Sequence, residues 1–469
     1  MLNFKDINFG LASGEKEAVE YPDLVKKGFF DDDKIIEELI KGNKYLVLGY
    51  KGSGKSLIGE KLLFQSKEDK TYSCEKIMLS DFPFESLKKI LPGSSSENNN
   101  FPKSWSLIIL ISLLNQMKKK NAKLEDLFLV KKLSEMGLLL NSDFASITKK
   151  ASRKKFKVDI SSLSFEYESE NDYVNKFEYL LESLNSLLHE ISPQKRHILV
   201  IDGLDDFLSL KDLQYDSLGG LIYEIGRLND EFIRNSMNYK IIILSRIDLF
   251  EKMPIPNKNK QSRDSAIRIN WYHDTREPAR SNLVKLANMR AKIKDSSCSD
   301  LFEESFPHLI SGKDAVSFLL DNTRHTPRDF IQLLTSIQKY CSGTKPTEKE
   351  ILSGLKSYSE DYFLPEIKDE MVGCVSPESF EIFIQCLGSF RGREISISKL
   401  MEKCGEKIER KDLNCILSAL FECSAIGNKF KGLVSDNMYC FRFRNRNCTF
   451  NPEETIVIHQ GLLKALGVR

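Results

Sequence analysis

The chain runs to 469 residues, 41% of them hydrophobic and 29% charged, with a net charge of +2. That length exceeds one ordinary core and implies roughly two or three domains, while the near-neutral balance names no partner and leaves that choice to local patches. Its longest apolar runs, such as Ser106–Leu114, are too short to cross a bilayer, and the opening Met-Leu-Asn-Phe-Lys-Asp lacks the pattern of a secretory leader, so the expected setting is cytoplasmic with no membrane partner.

The first 43 residues are polar, with a helix expected around Asp31–Lys41. Tyr45–Leu48 is a short apolar run closed by Gly49, which suits a buried parallel strand. Ser56–Gln65 follows with helical spacing. Between them lies Gly49-Tyr-Lys-Gly-Ser-Gly-Lys-Ser56, a complete phosphate-binding loop. Glycines at 49, 52 and 54 let successive backbone N–H groups turn inward around a phosphate with no Cβ in the way. The helix that follows offers its unpaired N–H groups and dipole to the same anion. Lys55 is expected at the β- and γ-phosphates and the Ser56 hydroxyl on Mg²⁺. Gly49, Lys51, Gly52, Ser53, Gly54, Lys55, Ser56 and Leu57 are thus the expected nucleotide-binding residues, with ATP and Mg²⁺ as cofactors.

Lys70–Lys195 is long for the stretch before an acidic partner strand and must carry inserted structure. Helices are expected near Ser104–Lys118, Leu124–Met136 and Tyr173–Ile191, with a strand or hairpin over Phe156–Glu168. His197–Ile201 is a second buried strand, Lys240–Leu244 a third and Ile267–Trp271 a fourth; strands alternating with helices indicate a doubly wound parallel sheet. Beyond Asp274 the pattern turns helical, at Arg280–Lys292, Asp314–Asp321 and Arg328–Cys341. From about Glu360 come helices near Pro377–Leu387, Ser396–Lys403 and Lys411–Cys423. Extended runs at Phe430–Val434 and Met438–Phe443 and a terminal helix over Ile456–Leu466 complete the chain. Three helices and a hairpin make a winged-helix layout.

Three further elements bear on the nucleotide. In Ile198-Leu-Val-Ile-Asp202-Gly-Leu-Asp205-Asp206, Asp202 ends a buried strand at its carboxyl edge, where a carboxylate can hold the magnesium shell. Asp205 and Asp206 follow within reach of an attacking water, and at least one is assigned to catalysis; the other reading is a helix cap. Ser245 and Arg246 end the next buried strand, where Arg246 either senses the γ-phosphate or is a plain strand-end arginine. In His325-Thr-Pro327-Arg328-Asp329, proline opens a helix and Arg328 is placed to point at the nucleotide.

Taken in order, Gly49–Ser56, Asp202-Gly-Leu-Asp-Asp206, Ser245-Arg246 and Thr326-Pro-Arg328 resemble the AAA+/STAND superfamily of P-loop ATPases. The resemblance implies Walker A, an extended Walker B, and first and second sensors. Members usually end that acidic run Asp-Glu, where this chain has Asp205-Asp206. Asn8-Phe9-Gly10, Gly14-Glu15, Lys51–Ser56 and the Ile-His-x-Gly-Leu of Ile458–Leu462 are also similar to a group of bacterial P-loop ATPases often found in anti-phage defence, which implies that role. The expected architecture is therefore α/β. A doubly wound parallel-sheet P-loop NTPase domain over 1–275 carries a helical insertion at about 80–190. A small helical lid covers 276–357, and a winged-helix-like domain 358–469.

Ten cysteines include no Cys-x-x-Cys pair, and the five between Cys404 and Cys448 have no histidine at zinc-finger spacing; reduced core thiols are expected, with a metal site as the alternative. Lys149, Lys150, Arg153, Lys154 and Lys155, with Lys118–Lys120, form a basic patch that is either a solvated face or a nucleic-acid contact. Arg442, Arg444 and Arg446 would share one face of a continuing strand, as a DNA-contacting wing or as a lock on the protein's own acidic surface. His459 is either a packed residue or a reporter on bound ADP.

Three functions follow. A nucleotide-gated switch would work through a homo-oligomer or a separate effector protein; a DNA-binding ATPase of initiator or transposition-regulator type would use the wing and insertion; a small-molecule kinase would leave the helical C-terminus without a role.

Overall fold

A strand buried on both faces reads as a short apolar run, and three segments carry one: Leu46–Leu48 within β1 (Leu46–Gly49), Ile198–Ile201 within β3 (Arg196–Asp202) and Ile241–Leu244 within β4 (Tyr239–Arg246). In the computed structural model they join β2 (Tyr72–Met78) and β5 (Ala266–Arg268) in an all-parallel sheet of order β2-β3-β4-β1-β5. The structure describes residues 2–80, 82–91, 100–140, 143–156, 172–204, 212–274, 277–373, 375–405, 407–431 and 437–468. The fold is the doubly wound α/β class, with helical crossovers between the parallel strands. Register sets Gly49 beside Arg246 and Leu48 beside Ser245, so β1 and β4 end together at the carboxyl edge of the sheet.

β2 is absent from the strands expected above. It is an edge strand only partly buried and carries Glu75 and Lys76, so it shows no apolar run. The fourth expected strand shortens to Ala266–Arg268, and Trp271 lies beyond it. Helices Phe84–Ile90, Phe101–Lys120, Phe128–Glu135, Phe144–Ala151 and Asp172–Glu190 fill the inserted segment. The Phe101–Lys120 helix is buried almost from end to end, and its Trp105 indole donates to the Ser217 carbonyl at 2.8 Å. Of the run expected to be extended at Phe156–Glu168, Phe156 closes a helical turn and the rest lies outside the described residues.

The chain forms two compact bodies. One comprises Asp31–Gly49 and Ile58–Ile269, and contains the sheet; the other comprises Met1–Phe30, Tyr50–Leu57 and Asn270–Arg469, and contains the phosphate loop, the lid helices and the C-terminal domain. In the second body helices Asn282–Lys294, Leu301–Ser305, Ala315–Asp321, Pro327–Tyr340 and Glu348–Ser357 lead into a π-helical turn, Tyr358–Phe363, and then the helix Leu364–Glu370. A short hairpin, β6 (Leu309–Ile310) and β7 (Lys313–Asp314), interrupts them.

The C-terminal domain is winged-helix-like: helices Pro377–Gly388, Ile397–Cys404 and Arg410–Glu422, and a sheet of order β10-β9-β11-β8. Its strands are β8 (Glu394–Ile395), β9 (Ile426–Lys431), β10 (Asn437–Cys440) and β11 (Thr455–Ile458). The terminal helix expected over Ile456–Leu466 is thereby corrected. Ile456-Val-Ile458 is a β-branched run that pairs with β9 and β8, and only a short 3₁₀ turn, Gln460–Leu462, follows. Seven of the described cysteines are reduced thiols, and the expectation is corrected at one pair, Cys440 and Cys448, which form a disulfide with Cα atoms 6.7 Å apart. No helix among the described residues is long and apolar enough to cross a membrane.

Candidate nucleotide site

The loop's sequence dictates its shape. Gly52 and Gly54 take φ of +77° and +91°, a region that side chains disfavour. A Cβ at Gly54 would meet nothing within 4 Å, so the loop opens onto space there, whereas a Cβ at Gly52 would press on Arg328 Cβ at 3.1 Å. The loop is closed by Ser53 N–H donating to the Tyr50 carbonyl at 3.1 Å, and Trp271 Nε1 donates to the Ser53 carbonyl at 2.9 Å. The Ser53 hydroxyl is buried with no hydrogen-bond partner among the described residues, and Lys55, only 4% exposed, donates its Nζ to the Tyr50 carbonyl at 3.1 Å. An orphaned buried hydroxyl, a buried ammonium and glycine-only backbone fit a phosphate.

The lid helix Pro327–Tyr340 meets this loop through its own unpaired end. Thr326 caps it, its Oγ1 accepting from Asp329 N–H at 3.2 Å, and Pro327 occupies the first turn. The next orphan donor, the Arg328 N–H, goes to the Gly52 carbonyl at 3.3 Å. Arg324 holds the capped end by gripping Asp329 with Nε to Oδ2 at 2.7 Å and Nη2 to Oδ1 at 2.9 Å, and Tyr362 O–H donates to the same carboxylate at 2.9 Å. Burial alone would raise the Asp329 carboxyl, but the Arg324 guanidinium and these hydrogen bonds hold it below the usual carboxylate range.

Sequence reasoning missed the loop's other partners. On the helix after the π turn, Glu366 and Glu370 sit one turn apart on a single face. Lys51 Nζ lies 3.2 Å from Glu366 Oε2 and 3.3 Å from Glu370 Oε1, and Arg328 Nη1 lies 3.8 Å from Glu366 Oε2. Nothing near Lys51 in the chain signals this pairing.

In the sheet body, Asp202 is buried at the end of β3, two strands from β1. Its Oδ1 accepts from Gly203 N–H at 2.8 Å, and its Oδ2 lies 3.0 Å from Lys76 Nζ, which also donates to Glu60 Oε1 at 2.9 Å. Burial alone would lower the Lys76 ammonium, but the two carboxylates more than offset it and hold it above the usual lysine range. Ser56 and Asp202 are hard oxygen donors and suit Mg²⁺ by chemistry. Ser245 is buried, with Oγ donating to the Arg246 carbonyl at 3.2 Å, and Arg246 binds Asp248 through Nε at 3.0 Å and Nη2 at 2.7 Å. Asp205 and Asp206 lie outside the described residues.

Of the basic patch, Lys149, Arg153, Lys154 and Lys155 are exposed around the end of the Phe144–Ala151 helix, while Lys150 Nζ donates to the Gly137 carbonyl at 2.6 Å. The shared face expected for Arg442, Arg444 and Arg446 is corrected: β10 ends at Cys440, and the chain then turns. Arg442 bonds the Cys448 carbonyl at 2.8 Å and pairs with Glu422 at 3.2 Å; Arg444 lies over Phe441 and Phe443, 3.5 Å from Asp321 of the lid; Arg446 is exposed. His459 is buried against Phe363 and Phe441, its Nδ1 accepting from Gly461 N–H at 3.1 Å, and burial pushes its imidazole well below the ordinary histidine value.

Residues 281–364 match the family model described as the FunZ-associated C-terminal helical domain, a span that takes in the lid helices from Asn282 and the π turn ending at Phe363. No curated protein matches the chain. Among solved structures it is similar to the Orc1 protein of Aeropyrum pernix, solved in complex with DNA, at 12% identity over 96% of this chain and 95% of that one, with a TM-score of 0.44. It is also similar to Cdc6p of Pyrobaculum aerophilum, at 13% identity over 98% and 95%, with a TM-score of 0.34. Likeness at that level says nothing about activity.

Proposed function

We propose that the chain is a magnesium-dependent, ATP-binding and ATP-hydrolysing switch of AAA+ type. The observation that carries this reading is the joint between the phosphate loop and the lid: Arg328 N–H on the Gly52 carbonyl, with Lys51 and Arg328 on Glu366. A phosphate held by this loop meets two cations that the lid segment already holds, so nucleotide state changes lid contacts directly. Lys55 would leave the Tyr50 carbonyl for the β- and γ-phosphates, and the Ser53 hydroxyl would gain a partner. Ser56 and Asp202 would hold Mg²⁺, which supplies charge neutralisation at the phosphate oxygens. Asp205 or Asp206 would orient the attacking water, and Ser245, Arg246 and Arg328 would register the γ-phosphate.

The finer reading is a bacterial anti-phage switch whose output is homo-oligomerisation or recruitment of an effector protein. Mass in solution, measured with ADP and with a non-hydrolysable ATP analogue, tests it: assembly with the analogue alone is expected, and one mass under both conditions overturns the oligomerising output. Exposed Lys149, Arg153, Lys154 and Lys155 favour a second reading, a DNA-binding ATPase. Duplex binding that weakens steeply with salt, and is lost when those charges are removed, would select it.

A further inference from the structure

β2 is the edge strand beside β3, and Lys76 stands opposite Val200, two residues short of Asp202 in the register. Its four-carbon stem therefore runs along the sheet and delivers the ammonium to the carboxylate at the strand's end. The stem passes beside Gly59, where a Cβ would stand in ordinary contact with Lys76 Cδ at 3.5 Å. The ammonium, on a side chain only 6% exposed, meets Asp202 Oδ2 at 3.0 Å and Glu60 Oε1 at 2.9 Å. Both Asp202 oxygens are thus engaged, one by Gly203 N–H and one by Lys76.

The charges explain what this arrangement does. Two buried or half-buried carboxylates without a lysine form a dianionic pair of hard oxygens, which would take up a divalent cation unaided. With Lys76 between them the cluster keeps one net negative charge, and any metal approaching Asp202 faces an ammonium already in contact. We propose that Lys76 is a positioning residue of the metal site. It fixes Asp202 and Glu60 while denying the site Mg²⁺ of its own, so that metal is admitted only with the charge a nucleotide's phosphates bring. This rests on the nucleotide-site reading above.

The test uses the full chain purified without nucleotide, with Lys76→Gln and Lys76→Arg. Two readouts are taken: binding of Mn²⁺ alone, from the loss of its free-ion resonance signal, and thermal melting with and without millimolar Mg²⁺. Wild type and Lys76→Arg are expected to show no metal response. Lys76→Gln is expected to melt lower without metal, to recover with Mg²⁺, and to bind Mn²⁺ at concentrations where wild type binds none, since a unit charge in contact is gone. The double variant Lys76→Gln/Glu60→Gln leaves fewer uncompensated charges, and should still bind Mn²⁺ through the released Asp202. Mn²⁺ binding by wild type, or none by either glutamine variant, overturns the proposal. Failure of the nucleotide reading looks different: wild type would then bind no ATP with Mg²⁺ present, whatever Lys76→Gln does with metal alone.

Discussion

Neutralising the two carboxylates that face Lys51 should tighten nucleotide binding. Lys51, Glu366 and Glu370 have side chains 21%, 19% and 7% exposed, at separations of 3.2 and 3.3 Å. A contact pair at an effective dielectric near a protein surface has a gross attraction of about 4 kcal/mol. Desolvation and side-chain ordering cancel most of that, leaving about 1 kcal/mol for each pair. Phosphates that draw Lys51 and Arg328 to themselves must overcome roughly 2 kcal/mol across the two carboxylates. Glu366→Gln/Glu370→Gln removes that competition and keeps side-chain size, so affinity should rise about tenfold to thirtyfold. Titration with a fluorescent ADP, and competition by ATP, measures it. Unchanged affinity would mean that Lys51 stays with the glutamates when nucleotide binds. Weaker affinity would mean that the carboxylates support the bound form, and either result refutes the competition argument.

Lys55→Ala should abolish nucleotide binding with the circular-dichroism spectrum retained, since Lys55 lies in the phosphate loop, where its Nζ bonds a loop carbonyl; unchanged affinity sinks the loop assignment. Asp205→Asn/Asp206→Asn should slow single-turnover hydrolysis about a hundredfold or more while ATP still binds, because Asn keeps size but accepts no proton. Wild-type turnover would leave those residues as a helix cap. Asp329→Asn strips the buried Arg324 of its counter-charge and should cost about 3–5 kcal/mol in chemical unfolding; a cost near zero would show Arg324 reaching other acceptors. Burial, helped by Lys120 and Arg444 respectively, pushes the His197 and His325 imidazoles down to about 3 from 6.5. The unfolded chain then binds more protons than the folded one at these two histidines between those values, so their contribution to stability is full above pH 6.5 and is lost as pH drops through the window. Melting at about pH 5 should lie below that at about pH 7, and His325→Asn, which tolerates the left-handed φ of 52°, should lessen the slope. An unaltered slope would refute the His325 share.

What the sequence disclosed, and what it withheld, divides along the range of the interaction. β1, β3 and β4 are legible because burial on both faces demands an unbroken apolar run, and the loop is legible because Gly52 and Gly54 must occupy a glycine-favoured conformation. The lid helix announces itself through Thr326 and Pro327, both local capping signals. β2 escapes because an edge strand carrying Glu75 and Lys76 has neither an apolar run nor clean alternation. β11 is misread as helix because Ile456, Leu463 and Leu466 fall at spacings of seven and three residues, compatible with a helical face. Pairing with β8 and β9 then outweighs that period, and Gly461 turns the chain where a Cβ would come within 2.3 Å of the Asn322 carbonyl oxygen. The partners of Lys51 and of Asp202 leave no local trace, since each is supplied by an element far away in the chain.

The partners of the site's cations share one logic. In the loop body Lys55 is held by a backbone carbonyl and Lys51 by two carboxylates; in the sheet body Lys76 is held by Asp202 and Glu60, and Arg246 by Asp248. Burying a cation without a partner is costly, so a site built to receive a polyanion must satisfy its cations some other way while no polyanion is bound. A protein whose cations were satisfied by water alone would bind nucleotide with little consequence for its own contacts. On the proposed reading the substitutes for Lys51 are carboxylates on the Leu364–Glu370 helix, so this cation, drawn to a phosphate, would leave Glu366 and Glu370 to find new partners. That exchange would supply the differential free energy that the proposed switch requires, and it would be seated in Glu366 and Glu370 rather than in the loop itself.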